Sequence, residues 1–430
     1  MRLSPQARVY ILGAVLCAAL IICSHYFGDR GGLGFMACLA LAGAAYLLAV
    51  REFFASPSFP RHVIVIGLLL SAVWHIAFLR QPAGRDDDIH RYVWDGRLQR
   101  LGYNPYLVVP SDPAAQHLHT SQTRDLNNPD LPSPYPPGAE LFFRAVTAIS
   151  ESTFALKVAF VLCNFAIVLV LLDLLRVTGR GAHLVLAFAW NPLLAIEVAG
   201  SGHIDIFGTL LLVVSVAALA RRWRTIAAVA LGLAVAVKFL PIVLLPLYWK
   251  RVRIRDAALA AVLVGLLYVP FLNHAHIPTG SLGTYVQTFR FNGPVFALLA
   301  HVAPPQLLAA LAALIGFATA IWLRKRASKL SPGLFGWPMA ASLLFAPVVF
   351  PWYLLWLLPF LMSSSTLLLI IWTVTIIPTY VQWHLRALGH PWGALPGWIM
   401  LIEYGCIGIT GVRIWFYRRR TPAKAPSLAD

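Results

Sequence analysis

Charged side chains are what this sequence is shortest of. Asp, Glu, Lys and Arg make up 12% of its 430 residues, while 59% are hydrophobic; a soluble domain carries about 25% charged residues. Folded in water, such a chain would expose large apolar patches, which excludes a soluble enzyme. Its hydrophobicity also excludes a disordered tail protein. Strict alternation of apolar and polar residues is missing, and that excludes a β-barrel. Cysteine is sparse: Cys17, Cys23, Cys38, Cys163 and Cys406 all lie inside apolar runs, none in a CxxC or beside a His pair. They read as packing residues. Acidic residues are outnumbered 17 to 34 by basic ones. The net charge of +17 does not point to nucleic acid, because the basic residues cluster at the ends of apolar runs. The clusters are Arg2/Arg8, Arg51/Arg61, Arg176/Arg180, Arg221/Arg222/Arg224, Lys250/Arg251/Arg253/Arg255, Arg324/Lys325/Arg326/Lys329 and Arg418/Arg419/Arg420. That placement marks cytoplasmic anchors.

What is present is a series of apolar runs, at about 9–27, 33–50, 62–79, 153–175, 183–200 and 203–220, each near the roughly 20 residues that cross a bilayer. The first lacks a small-residue cleavage site and is expected to stay as a helix. With Arg2 and Arg8 inside, the polar segment 80–150 is extracytoplasmic. Residues 225–249 then lie between two basic clusters that both belong in the cytoplasm. Two full spans need about 40 residues, and Lys238-Phe-Leu-Pro241 breaks the segment in its middle. A re-entrant hairpin satisfies both constraints. Further runs at about 256–272, 305–323, 335–350, 352–363, 365–383 and 396–417 complete the chain, with 352–363 short for a clean span. The expected fold is all-α and polytopic, with about 11–13 transmembrane helices in one domain over 1–417. A cytoplasmic tail, 418–430, follows it.

Polar chemistry concentrates in segment 80–150, which holds nine of the 17 acidic residues between 86 and 151. Its first part reads Arg85-Asp-Asp-Asp-Ile-His-Arg-Tyr-Val-Trp-Asp95. Three adjacent aspartates repel one another, so a divalent ion, Arg85 or Arg91, or raised proton affinity must favour them. Asp86 by itself suits a helix cap. If 86–97 is helical, Asp88, Tyr92 and Asp95 share one face. A second cluster, Glu197 with Gly202-His-Ile-Asp205, sits at the outward ends of two runs, where ionisable groups are costly and suggest function. Its spacing matches no zinc motif; a buried polar turn is the plainer reading. Lys238 either snorkels to the cytoplasmic interface, the favoured reading, or meets a phosphate. Arg290, His384 and Arg386 are basic candidates on the outer side.

Asp88-Ile-His-Arg-Tyr92, Gly102-Tyr-Asn-Pro-Tyr106, Tyr135-Pro-Pro-Gly138, Asn191-Pro192, Gly202-His-Ile-Asp205, Lys238-Phe-Leu-Pro241 and Pro351-Trp-Tyr353 occur in order over roughly 60–360. Together they resemble the GT-C glycosyltransferases, and more narrowly the bacterial polyprenyl-phosphate-mannose-dependent α-mannosyltransferases. The Asp-Asp-Asp run departs from the single or paired acid of such loops. Charge placement puts both termini in the cytoplasm; the resemblance implies a GT-C-like bundle in the cell membrane and inverting transfer of a hexose. The donor would be a polyprenyl-phosphate sugar and the acceptor a glycan or glycolipid hydroxyl. It implies an aspartate base, Asp88 with Asp87 as runner-up. Tyr92, Asp95, Asn104, Tyr135, Glu197, His203 and Asp205 would form the pocket, and Arg290 and His384 would meet the leaving phosphate. No cofactor is required, and a divalent cation stays open. A transporter or lipid-linked-sugar flippase is the alternative, since those too use broken helices and buried charge.

Overall fold

The computed structural model describes residues 3–84, 87–124, 126–273, 278–327, 330–393 and 395–420, with side chains through Phe416. Among these the chain is helical, with one isolated bridge between Phe291 and Val348. Three long helices open it: α1 (Pro5–His25), α2 (Leu33–Ala55) and α3 (Arg61–Leu79). The following loop folds into α4 (Ile89–Arg100) and α5 (Pro137–Ile149) over a small core of Trp94, Leu98, Ala115, Leu118 and Leu126. Next come α6 (Thr153–Val177), a broken span beginning with α7 (Val185–Ala189), α8 (Asp205–Ala220), α9 (Arg224–Val237) and α10 (Leu245–Tyr248). The rest comprises α11 (Ile254–Tyr268), α12 (Leu282–Thr288), α13 (Pro294–Leu299), α14 (Pro305–Arg326), α15 (Gly333–Leu344), α16 (Leu367–Thr375), α17 (Val381–Ala387) and α18 (Gly397–Arg420).

Among the described residues, eight helices are long and apolar enough to cross a membrane, or nine if the broken pair Ala182–Ala189 and Leu194–Gly200, bent by 66°, is one span. The chain is an all-α polytopic membrane protein. Three further apolar runs are shorter helices: α8, α9 and α15. α18 stays helical to Arg420, three residues into the expected tail.

Side-chain ties fix which ends share a face. Arg8 pairs with Glu52 at 2.7 Å, Arg221 with Asp173, and Arg180 donates to the Met362 carbonyl at 2.7 Å. Thr225, at the start of α9, donates to Asp256, at the start of α11, at 2.7 Å. The segment between them therefore begins and ends at the same end of the bundle. Ser215 of α8 clamps both legs, donating to the Ala227 carbonyl and meeting the Tyr248 hydroxyl at 2.7 Å. The stop is local: Lys238 is extended (φ −158°, ψ 140°), and Pro241 lies in the first turn of a 3-10 helix.

A second hairpin, absent from the sequence reading, runs from α15 through 3-10 turns at Pro351–Trp356 and Leu358–Phe360. Gly333 at its start lies beside Ser363 and Thr366 at its end. Pro338, Pro347, Pro351 and Pro359 deny it a continuous helical ladder. The broken span is held by buried partners: the Tyr46 and Ser71 hydroxyls donate to the Ala187 and Ala189 carbonyls at its break, as backbone inside a membrane requires. Trp190 packs against α1 and α3 because Gly13 and Gly67 face it; a Cβ on Gly13 would lie 2.6 Å from the indole.

By helix rise, α9 climbs about 21 Å and α8 about 24 Å from the basic face, against about 30 Å of hydrocarbon. Their upper ends therefore stop short of the opposite surface. A recess is left there.

Candidate active site

The recess is a cavity of about 360 Å³. It is roofed by the 87–136 loop and floored by the tips of the two hairpins, with Ser281, Leu282, Tyr285 and Phe289 on one side and Trp383, Arg386 and Trp392 on another. Asp87, Asp88, Arg91, Tyr135, His203 and Lys238 line it, among many aromatic rings. Arg85 and Asp86 lie outside the described residues.

Asp87 and Asp88 are neighbours with opposite surroundings. Asp87 is buried; Arg30 donates to one oxygen at 2.6 Å and the Gly84 N–H to the other at 2.6 Å. Arg30 also donates to Ser201 at 2.7 Å and lies over the Phe27 ring, so this pair ties the loop to the bundle. Asp88 stands at the N-cap of α4, but its side chain makes no capping bond. Instead Asn127 donates to its Oδ1 at 2.7 Å, and Oδ2 lies 3.9 Å from His203 Nδ1. One carboxylate is locked. The other faces the cavity with an oxygen to spare.

Seven residues on, Asp95 is fully buried under the cavity wall, 3.6 Å from Arg91. It sits with Glu140, which accepts from Ser133 and from Gln99 at 2.8 Å. Burial pushes Asp95 up to about 6, against the pull of Arg91. Glu140 is raised well above the usual carboxylate range by burial first and by the charge on Asp95 second. Tyr92 stacks on Phe143 (4.3 Å, 9°). The helical face expected to carry Asp88, Tyr92 and Asp95 toward a ligand therefore sends the last two into packing against α5. The cause is that Asp88 precedes the helix and is not aligned with its side.

Behind the floor, Glu197 lies 3.0 Å from His203 Nε2 and takes the Tyr380 hydroxyl. Asp205 accepts from Lys238 at 2.8 Å and from Trp356 at 2.7 Å. Both acids support cavity residues and do not line the space. The turn between them needs Gly202, at φ +76°, where a Cβ would also meet Ile89 at 2.5 Å. Lys238 lies over the Tyr353 ring, 4.0 Å from its centroid, and Tyr353 is hydrogen-bonded to Tyr285. Snorkelling to the basic face is overturned: α9 carries Lys238 about 21 Å from that face, where it pairs with Asp205.

Three expected site residues are elsewhere. Arg290 turns back onto the carbonyls of Val286, Gln287 and Phe289. His384 meets Asp29 at 3.0 Å. Asn104 donates to the Phe271 carbonyl at 2.9 Å and caps its own turn at the Tyr106 N–H. None lines the cavity; among the described residues the Lys and Arg side chains that do are Lys238, Arg91 and Arg386. Arg30 and Asn127 were not foreseen, since a lone Arg or Asn in a loop carries no sign of a partner 57 or 39 residues away. Among the described residues, no group of three His, Cys, Asp or Glu side chains could hold a metal.

Residues 21–252 match the family model of the MptA_B family, alpha-(1->6)-mannopyranosyltransferase, N-terminal domain. The chain belongs to this mannosyltransferase family. No curated protein and no solved structure matches it. The matched stretch holds Asp88, His203 and Lys238. The aromatic wall of this mannosyltransferase, from Tyr285 to Trp392, comes from beyond it. A glycosyltransferase takes precedence over the transporter and flippase alternatives.

Proposed function

We propose that the chain moves mannose from a polyprenyl-phosphate donor to a hydroxyl of a glycan or glycolipid, with Asp88 as general base. The observation that carries this is the contrast at the cavity mouth: Asp87 is engaged on both oxygens, and Asp88 keeps Oδ2 open. The base takes the acceptor proton as its oxygen attacks the anomeric carbon opposite the departing phosphate, giving inversion. Lys238 and Arg386, both on the cavity wall, stabilise the leaving phosphate. Tyr135 and the neighbouring rings hold the sugars.

The face follows from charge. Arg8, Arg180 and Arg221 lie at helix ends away from the cavity, and under the positive-inside rule this supports a cytoplasmic side there and an extracytoplasmic cavity. Nucleotide sugars are cytoplasmic, whereas a lipid-phosphate sugar reaches the outer face once flipped. Residues 1–417 act as one transmembrane unit.

The test is purified protein in nanodiscs with radiolabelled polyprenyl-phosphate mannose and an α-mannoside acceptor. A longer mannoside is expected. Transfer from GDP-mannose, with none from the lipid donor, sinks this reading.

A further inference from the structure

His203 is fixed more tightly than a residue that merely fills a wall. Its ring stacks on Trp352 (3.9 Å, 10°), which stacks in turn on Phe350 (4.3 Å, 11°). Glu197 lies 3.0 Å from its Nε2, and the His203 main-chain N–H donates to the Glu197 carbonyl at 2.9 Å. Stack and acid together allow one ring orientation. In that orientation Nδ1 is buried, has no hydrogen-bond partner among the described residues, and lies 3.9 Å from Asp88 Oδ2 at the cavity. A buried donor or acceptor left open is costly. Nothing else at this site uses it.

The gap is informative. At 3.9 Å the two atoms are too far apart for a direct hydrogen bond, yet one oxygen about 2.8 Å from each fits between them. Burial lowers the proton affinity of this ring, but Glu197, Asp88 and Asp205 around it raise it on balance, so Nδ1–H is taken as the donor. We propose that the acceptor hydroxyl occupies this gap, its oxygen held by His203 Nδ1–H and its proton directed at Asp88 Oδ2. The assignment rests on the mannosyl-transfer reading. In the step, the acceptor O–H bond breaks and its proton passes to Asp88. The freed oxygen bonds the anomeric carbon, and the carbon–phosphate oxygen bond breaks with its electron pair leaving on the phosphate. His203 keeps its protons throughout and sets where the attacking oxygen stands.

Three substitutions separate this role from a structural one. His203→Asn places an amide N–H near the Nδ1 position and gives up Glu197. His203→Gln reaches Glu197 and gives up the gap. His203→Phe keeps the three-ring stack and loses both contacts. Losing a hydrogen bond to a charged donor weakens binding about tenfold to a hundredfold, so Phe and Gln should raise the acceptor KM by that order. Asn should stay clearly closer to the parent, and the donor KM should be unchanged in all three. Gln outperforming Asn, or acceptor and donor KM rising together, overturns the assignment. Binding of methyl α-mannoside without donor, followed by tryptophan fluorescence, should rank the variants the same way. That arm stands even if the protein uses no polyprenyl-phosphate mannose, so the two readings fail separately.

Discussion

The complete spans and the elements that stop short obey different rules. α1, α2, α3 and α6 run 19–25 residues, present a buried stripe inward and leave the rest to lipid. α8, α9 and α15 have 16, 14 and 12 residues and stop near the cavity, where Lys238 and the Phe350–Trp352 turn line the space and Asp205 backs Lys238. A full span needs only apolar residues of sufficient length. An interrupted one must satisfy freed backbone and buried charge, and its side chains do so through specific partners. The cavity sits where the spans are incomplete.

The largest expected effect lies at the mouth of that recess. Asp88→Asn keeps the shape and the Asn127 side of the site but cannot accept a proton, and a positioned base contributes about 10²–10⁴-fold in rate. Turnover measured with the lipid donor should fall by that order, with the protein folded and donor KM little changed. Asp87→Asn should act differently, because it leaves Arg30 buried without its carboxylate. Yield and thermal midpoint should suffer more than the turnover of the surviving protein. A greater turnover loss at Asp87 than at Asp88 would transfer the base to Asp87.

Next in size is the pair under the wall. Asp95 and Glu140 share one burial site with a single cation, Arg91, so one ionised acid and one proton balance it. Either single amide variant should fold, because the remaining acid ionises to face Arg91. Asp95→Asn combined with Glu140→Gln strands the cation, and breaking a buried pair costs about 3–5 kcal/mol. The pH dependence follows from burial. A carboxyl raised to about 6 in the folded protein binds its proton more tightly there than in the unfolded chain. The stability this gives is present below the ordinary carboxylate value, near 4, and is lost as pH rises through about 6. Thermal midpoints should fall between about pH 4 and 7, and Asp95→Asn should flatten the fall. An unchanged slope in that variant removes Asp95 as its source.

How much of this could be read beforehand divides along the same line. The complete spans were legible because apolar runs of about 18 residues bounded by charge admit one interpretation. The break at Lys238-Phe-Leu-Pro241 within 225–249 was legible too, by arithmetic: too few residues lie between two basic clusters for two full spans. The hairpin of α15 was not, since its runs at 335–350 and 352–363 look like spans, and proline placement does not say where a chain turns back. Of the residues expected from motif and position, Asp88, Tyr135 and His203 line the cavity. Arg290 and His384 were misplaced because residue type and topology set the side of the membrane but not the direction of a side chain.

A smaller effect tests the clamp on the first hairpin. Ser215→Ala removes the hydroxyl shared by the Ala227 carbonyl and Tyr248. Leaving those partners unpaired should cost about 1–3 kcal/mol, read as a lowered thermal midpoint. Reporter fusions after Arg224 and after Arg255 should still report the same compartment. Opposite signals from the parent protein would make 225–249 a single crossing and dissolve the comparison.

The smallest effect belongs to the lipid face of a complete span. Leu69, in the middle of α3, is 61% exposed, while Leu212 on α8 is fully buried. The substitution is the same at both, Leu→Ala, so chemistry is held constant and only surroundings differ. At Leu212 it empties packed volume and should cost about 2–5 kcal/mol. At Leu69 the removed atoms faced lipid tails, which refill the space, and the change should stay within about 0.5 kcal/mol. Both are read as thermal midpoints in one detergent. A loss at Leu69 approaching that at Leu212 would mean that this side of α3 is packed against protein, either a second copy or an unlike subunit. The exposed flank would then be an interface.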